Sequence, residues 1–290
     1  MDWVNALVQG ILLGGLYALF ACGLSLLFGV MRIVNLAHGD LAVLAAFLAY
    51  ATATVTGVSA LWATVVVVPV FAVLGYLIHR GLLERSLAAG PLATLLVTFG
   101  LSIVVQNLLL ESFSADSRTL DVGSLVSASL RITDDISVSY LAVLTFLLAA
   151  GVLVGLQLFL SRTQLGRIVR ATSDDPEAAT LVGADSRHVY GIATALAFAT
   201  VALAGLMFAM RSSFDPNIGP SRLLFAFEAV VIGGFGSLWG TLLGGIVLGV
   251  AQTIGGHIDP QYSTLAGHLG VLAVLASPRG RMLAARSTHR

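Results

Sequence analysis

Few side chains in this sequence are able to do chemistry, which makes their positions informative. The 290 residues hold fifteen basic and fifteen acidic side chains, with a formal net charge of zero. A polar block, Asn35-Leu36-Ala37-His38-Gly39-Asp40, is set between two apolar runs. An amide, an imidazole and a carboxylate are groups that bind polar solutes, and a His beside an Asp is the minimum of a proton relay. Two readings of the block are open. In one, Asn35 or Asp40 caps the next helix at a membrane edge and Gly39 permits the turn. In the other, a broken helix turns exposed backbone and polar groups toward a translocation path. Glu228 follows the apolar start of a later run, and it either meets the ammonium of a zwitterion or is a paired or interfacial carboxylate. Ser237 with His257 or His268 is an imaginable catalytic dyad. However, Gly236-Ser237-Leu238 is not the Gly-x-Ser-x-Gly elbow of a nucleophile, and no catalytic residue is assigned.

Several chemistries are excluded by residue type. All fifteen basic residues are Arg. Without Lys there is neither a Walker phosphate loop nor a Schiff-base nucleophile, so no cofactor is expected on this chain and any ATP that drives it binds elsewhere. The one cysteine, Cys22, lies in an apolar run; it makes no intramolecular disulfide and no multi-cysteine metal site, and no metal is expected. A neutral chain offers no global attraction for nucleic acid.

The elements that position these groups are membrane helices. Hydrophobic residues make up 57% and charged residues 10% of the chain, and the mean hydropathy is +0.95, whereas soluble domains are about 25% charged. A bilayer core of about 30 Å takes roughly 20 apolar helical residues. Runs without Asp, Glu, Arg or Lys cover Trp3–Met31, Leu41–His79, Ser86–Leu110, Ile136–Ser161, His188–Met210, Ala229–Ile258 and Gln261–Ser277. The second is long enough for two spans turning near Gly57–Ser59. The first lacks a basic leader and exceeds a signal-peptide core, so it is expected to stay as the first helix. The fold class expected is all-α and polytopic, one transmembrane domain over 1–290 with about eight transmembrane segments.

Arg placement orients the spans. Arg80 and Arg85, the group Arg162, Arg167, Arg170 and Arg187, and the tail 278–290 with Arg279, Arg281, Arg286 and Arg290 are expected on the cytoplasmic side, with Arg32. The net acidic loop 111–139 is expected outside, as is the N-terminus, and the sixth span ends outside near Arg211–Arg222. Parity then makes Leu223–Ile258 two short helices bent near Ser237–Gly240, unless that stretch crosses once and the last run stays interfacial. Gly236, Gly240 and Gly244, like Gly245 and Gly249, recur every four residues, as do Gly10, Gly14, Ala18 and Cys22. Each set forms one helix face where backbones approach closely, and small stripes at both ends of the chain hint at an internal repeat.

The loop 161–188 carries the clearest local signals. Asp175-Pro176 reads as an N-cap followed by Pro at the first helical position, Glu177 suits the helix dipole, Gly183 ends the helix left-handed, and Asp185 or Ser186 caps the next span. A short exposed helix results, suited to docking on a cytoplasmic partner.

Glu177-Ala178-Ala179 with Gly183 resembles the "EAA…G" loop of bacterial ABC importer permeases, without the Ile-x-Leu-Pro that usually follows. The wider chain resembles the branched-chain amino acid permeases of the high-affinity leucine/isoleucine/valine system, the shorter paralogue in particular. The resemblance rests on Gly23 through Gly29, Asn35 through Asp40, Gly166-Arg167 through Gly183, and Ala226 through Gly249 with Gly233-Gly234-Phe235-Gly236-Ser237 at its core. The loop Ser112–Ser139 is not covered.

The resemblance implies a bacterial inner-membrane permease that pairs with a paralogous permease as a heterodimer. Two cytoplasmic ATPase subunits carrying ATP and Mg would drive it, and an extracytoplasmic binding protein would feed it branched-chain or related small amino acids. Asp175, Pro176, Glu177, Ala178, Ala179 and Gly183 would be the coupling loop. Asn35, His38, Gly39, Asp40, Glu228, Gly233, Gly234, Gly236 and Ser237 are the candidates for the translocation path. The rival class is a proton-coupled secondary transporter of a small polar solute, which needs carboxylates in mid-span; the sequence offers Glu228 and, at an apparent edge, Asp40. A passive channel would have no use for a docking helix.

Overall fold

The computed structural model describes residues 2–123, 128–133 and 136–277. The tail 278–290 with its four Arg residues, and Asp134 and Asp135 of the acidic loop, lie outside the described residues. Helix α1 (Asp2–Met31) is followed by α2 (His38–Thr56), α3 (Ala60–Ile78) and α4 (Glu84–Ala89), with a single π-helical stretch, His79–Leu83, joining the last two. Then come α5 (Pro91–Phe113), strands β1 (Ser129–Thr133) and β2 (Ile136–Ser139) paired antiparallel, α6 (Tyr140–Arg162), α7 (Gln164–Asp174) and α8 (Pro176–Leu181). The chain closes with α9 (Ser186–Arg211), α10 (Gly219–Gly233), α11 (Leu238–Ile258) and α12 (Tyr262–Ala276).

Seven of these helices are long and apolar enough to cross a membrane, and Tyr262–Ala276 is a shorter apolar helix. Two boundaries differ from the apolar runs. The third span continues as helix to Ala89, so Arg80 and Arg85 sit in its extension, and the chain breaks at Gly90 (φ +109°) before Pro91 rather than at Ser86. A π turn keeps the backbone hydrogen-bonded through a segment that composition alone reads as a loop. The fifth span starts at Tyr140, because Ile136–Ser139 pairs with β1. The bend between α10 and α11 falls at Gly234–Ser237, where Gly234 and Gly236 have φ of +87° and +77°, close to where the parity argument puts it.

Small residues hold the bundle together. The stripe Gly10, Gly14 and Ala18 of α1 lies against Gly245 and Gly249 of α11, running the opposite way: a Cβ on Gly245 would sit 2.5 Å from the Gly14 carbonyl oxygen and 2.7 Å from the Ala18 nitrogen. Gly240 and Gly244 face α10 at Gly233 and Ala229. The core continues through Leu19, Phe20, Phe47, Phe198 and Val230, all buried.

Two units of opposite direction emerge. Helix α1 packs on α9 antiparallel, since Gly23 meets Ala197 and Thr200 while Phe20 meets Phe208. Each long helix is followed by a short non-helical link and then a helix that starts deep in the bundle, α2 after α1 and α10 after α9. The starts of α2 and α10 touch at Gly39 and Gly219. Reciprocally, α1 packs on α11 and α9 packs on α3. This is an inverted repeat of the transporter kind, and it gives the hint in the small-residue stripes a structural form.

Because the α1–α11 seam admits no side chain, Gly245→Leu is expected to destabilise the protein by about 1–3 kcal/mol or more. Gly151→Leu, on α6 with nothing near its Cβ position, is expected to stay within about 0.5 kcal/mol of wild type. Thermal unfolding in detergent micelles separates the two.

Candidate functional site

The polar block 35–40 is buried rather than at an edge. After Met31 the chain turns at Arg32 (φ +54°) and runs back alongside α1, so that His38 Nε2 donates to the Phe20 carbonyl at 2.8 Å. Phe20 is eleven residues before the end of α1, about 16 Å along its axis. The link is therefore re-entrant, a break in the helix within the bundle, with the side chains of Asn35, His38 and Asp40 buried rather than exposed. The capping reading does not hold: α2 has Ala37 at its N-cap with no side-chain bond. Asn35 Oδ1 instead accepts from the Ala37 backbone at 3.0 Å, which satisfies a backbone group that water cannot reach.

Asp40 is 1% exposed, so it is no edge residue. Ser102 Oγ donates to its Oδ2 at 2.5 Å and Gln106 Nε2 to its Oδ1 at 2.9 Å, both from α5. A buried carboxylate held on both oxygens ties the start of α2 to α5, and the carboxylate also abuts Gly219 at the start of α10. Glu228 is 7% exposed, and its Oε1 accepts from His268 Nδ1 of α12. The paired reading of Glu228 is the observed one. In each half of the repeat, then, a carboxylate on the re-entrant helix is tethered to a later helix.

The two breaks differ in setting. Asn35, His38, Gly39 and Asp40 come together with Gly219 in the interior. Gly233, Gly234, Gly236 and Ser237 form the α10–α11 corner, where Gly236 meets Gly29 near the far end of α1. Ser237 Oγ is occupied in capping α11, accepting from Gly240 N at 3.1 Å, and His257 lies at the opposite end of that helix. No Ser–His dyad exists there.

Residues that the sequence reading passed over complete the interior. Tyr17 of α1 donates to Gln252 Oε1 of α11 at 2.5 Å. Arg211 and Arg222, read as bounding an outer turn, are both partly buried, and Arg222 lies 4.3 Å over the Phe208 ring and 5.5 Å from that of Phe225. Ser212–Ile218 between them is the second re-entrant link. It is strapped by the acidic loop, since Arg118 and Phe214 exchange two backbone hydrogen bonds at 2.8 and 2.9 Å and Leu120 is buried. That loop is therefore not simply exposed. The available signal was two Arg residues close to the ends of apolar runs, which position alone assigns to an interface.

The coupling segment folds as its caps direct. Asp175 Oδ1 accepts from the Glu177 and Ala178 backbone at 3.0 Å each, Pro176 opens α8, Gly183 takes φ +88°, and Asp185 caps α9. Leu181 and Val182 are 88% and 84% exposed at the end of α8. The Arg-bearing elements converge at this end: Glu84 bridges Arg80 at 3.2 Å and Arg187 at 3.3 Å, and Leu87, Leu160, Val169 and Val189 pack with Met31.

A family model described as branched-chain amino acid transport system / permease component matches residues 6–275. The chain is 29% identical to the high-affinity branched-chain amino acid transport system permease protein BraD of Pseudomonas aeruginosa, over 96% of this chain and 95% of that one. It is 25% identical to the corresponding permease protein LivH of Escherichia coli, over 96% and 94%. It is also 32% identical to the permease protein LivM of Escherichia coli, over 46% of this chain and 33% of that one.

Loss of the Asp40 tether is expected to leave Ser102 and Gln106 without their buried acceptor. Asp40→Leu should lower stability by about 1–3 kcal/mol and Asp40→Asn by less, because an amide keeps one acceptor. Thermal unfolding of both variants in micelles checks the order.

Proposed function

The chain belongs to the family of branched-chain amino acid transport system permease components, and from that membership we propose how this multi-pass membrane subunit of an ABC importer works and with what. The solute is a branched-chain or related small amino acid. The subunit pairs with a paralogous permease, and the partial likeness to LivM alongside the full-length likeness to LivH supports a heterodimer. Two ATPase subunits binding ATP and Mg supply the energy, an extracytoplasmic binding protein supplies the solute, and this chain performs no covalent chemistry. It lies in the bacterial inner membrane with its N-terminus outside and its C-terminus cytoplasmic. The gathering of Arg80, Arg85, Arg162, Arg167, Arg170 and Arg187 toward the end where α1 finishes supports that orientation.

The observation that carries the coupling is α8. It is a short helix capped at both ends, held between α7 and α9, and it presents exposed Leu181 and Val182. Apolar side chains exposed on a rigid, well-capped helix suit a groove on a partner. Closure of the ATPases on ATP would push α8, and α9 would carry the displacement to the α9–α10 link. Solute moves only if the two resulting states hold it with different affinity. Asn35, His38 and Asp40 lie at the first re-entrant link and Glu228 within α10, the helix that follows the second, where such a change would be felt.

With the paralogous permease, ATPases and binding protein co-reconstituted in proteoliposomes, ATP-dependent uptake of radiolabelled leucine is expected from wild type. Glu177→Arg and Leu181→Asp are expected to reduce it by about tenfold or more while the permease pair stays assembled. Unimpaired uptake in both variants overturns the role of α8, and uptake that follows a proton gradient without ATPase overturns the importer reading.

A further inference from the structure

Several buried side-chain atoms have no hydrogen-bond partner among the described residues, and four of them, Arg211 Nη1, Arg222 Nε, Glu228 Oε2 and Gln252 Nε2, belong to the α9–α12 side of the bundle. Ring contacts link them: Arg222 lies 5.5 Å from the Phe225 ring and 4.3 Å over that of Phe208, one turn before Arg211; Phe225 stacks on His268, which bonds Glu228; and Tyr17, 5.3 Å from Phe225, bonds Gln252. Neither guanidinium forms an ion pair among the described residues. Asp215 acts on Arg222 from beyond ion-pair distance. Partly buried cations with no ion pair among the described residues are costly, which makes them candidates for holding an anionic group of a solute.

We infer that Arg211, Arg222 and Glu228 form a site for the zwitterionic end of an α-amino acid, with Tyr17 and Phe225 as the wall against its apolar side chain. The inference rests on the permease reading above and adds where, and by which groups, the solute is held. A carboxylate needs donors in a planar fork, which guanidinium supplies. Arg222 lies 4.3 Å over the Phe208 ring, and its buried Nε has no hydrogen-bond partner among the described residues. An ammonium needs an acceptor; Glu228 gives Oε1 to His268 and keeps Oε2 for the solute. The apolar wall is continuous, with the Tyr17 and Phe225 rings 5.3 Å apart and Phe225 stacked on His268 at 6.1 Å. Asp40 takes no part, because both its oxygens are already bonded to α5.

An approach exists as well. A polar cleft of about 530 Å³ opens between α1, α11 and α12, lined by Asn5, Gln9, Gln252, Thr253, His257 and Ser263. Gln252 belongs to both the cleft and the cluster. Its bond to Tyr17 connects the lining of the cleft to the ring wall beside Arg222.

The test uses the complete transporter in proteoliposomes and reads two quantities: uptake of each of the twenty amino acids, and ATP hydrolysis stimulated by loaded binding protein. In Arg222→Gln and Glu228→Gln, uptake is expected to fall about 10- to 100-fold while stimulated hydrolysis persists, with Arg222→Lys intermediate. A merely structural role would lower assembly and hydrolysis together. Wild-type uptake in both Gln variants overturns the site and leaves the permease reading intact. No uptake of any amino acid by assembled, ATP-hydrolysing wild type overturns the permease reading and the site with it. If the variants do not assemble, saturation-transfer NMR on the wild-type complex without binding protein decides the matter. Leucine should be saturated more strongly than isocaproate, which lacks the ammonium, and isoamylamine, which lacks the carboxylate. Equal saturation of all three overturns the site.

Discussion

Gly10 and Gly14 on α1 lie against Gly245 and Gly249 on α11, and in a lipid environment this closeness has to supply what hydrophobic collapse supplies in water. Lipid tails are as apolar as leucine, so apolar helices gain little by leaving them; what they gain is dispersion between surfaces that fit, and fit is best where no side chain intervenes. The seam brings the first helix of the chain beside one of its last and fixes their opposite directions. It also places Tyr17 opposite Gln252 and brings Gly29 to the α10–α11 corner.

The re-entrant links depend on that frame. A non-helical backbone within a membrane protein is tolerated only where its N–H and C=O groups are satisfied by protein or face a cavity. Around Arg32–Ala37 the satisfaction is local and specific: Asn35 bonds the backbone ahead of it, and His38 takes a carbonyl of α1. Around Ser212–Ile218 it is more distant, because the strap at Arg118–Leu120 supplies backbone partners from a loop some ninety residues earlier in the chain. The first link is closed by its own neighbourhood and the second by a borrowed segment beside two partly buried guanidinium groups. Both links keep buried polar atoms without a hydrogen-bond partner among the described residues, Asn35 Nδ2 and His38 Nδ1 at the first and Arg211 Nη1 and Arg222 Nε at the second.

Mechanically, the ends of α9 are different in kind. One end is capped by Asp185 and adjoins α8, with its exposed Leu181 and Val182; the other ends at Arg211 and the second link. A single helix thus joins the surface proposed to meet the ATPase with the interior proposed to hold the solute. Close glycine contacts along it, such as Gly205 against Ala42 and Gly23 against Thr200, make its packing stiff, so that displacement at one end is transmitted rather than absorbed.

The sequence by itself determined the membrane class, the positions of the spans, the bend before Leu238 and the capped helix at Pro176–Leu181. These follow from local quantities, namely the length of uncharged runs, the sidedness of Arg, and Asp-Pro and Gly at helix ends. The family resemblance was legible for the same reason, since it is carried by contiguous blocks. Tertiary structure alone decided the fate of the sparse polar residues. Asp40 reads as an edge residue because it adjoins a loop, yet the chain turns back at Arg32 and buries it against Ser102 and Gln106, more than sixty residues away. Arg211 and Arg222 read as interfacial by position, yet α9 antiparallel and α10 parallel to α1 draw both partly inside, with Arg222 against Phe208 and Phe225 beside Tyr17. Whether a charge at the end of an apolar run faces water or the interior is a question of which helices stand beside it, and hydropathy along one dimension carries no term for that.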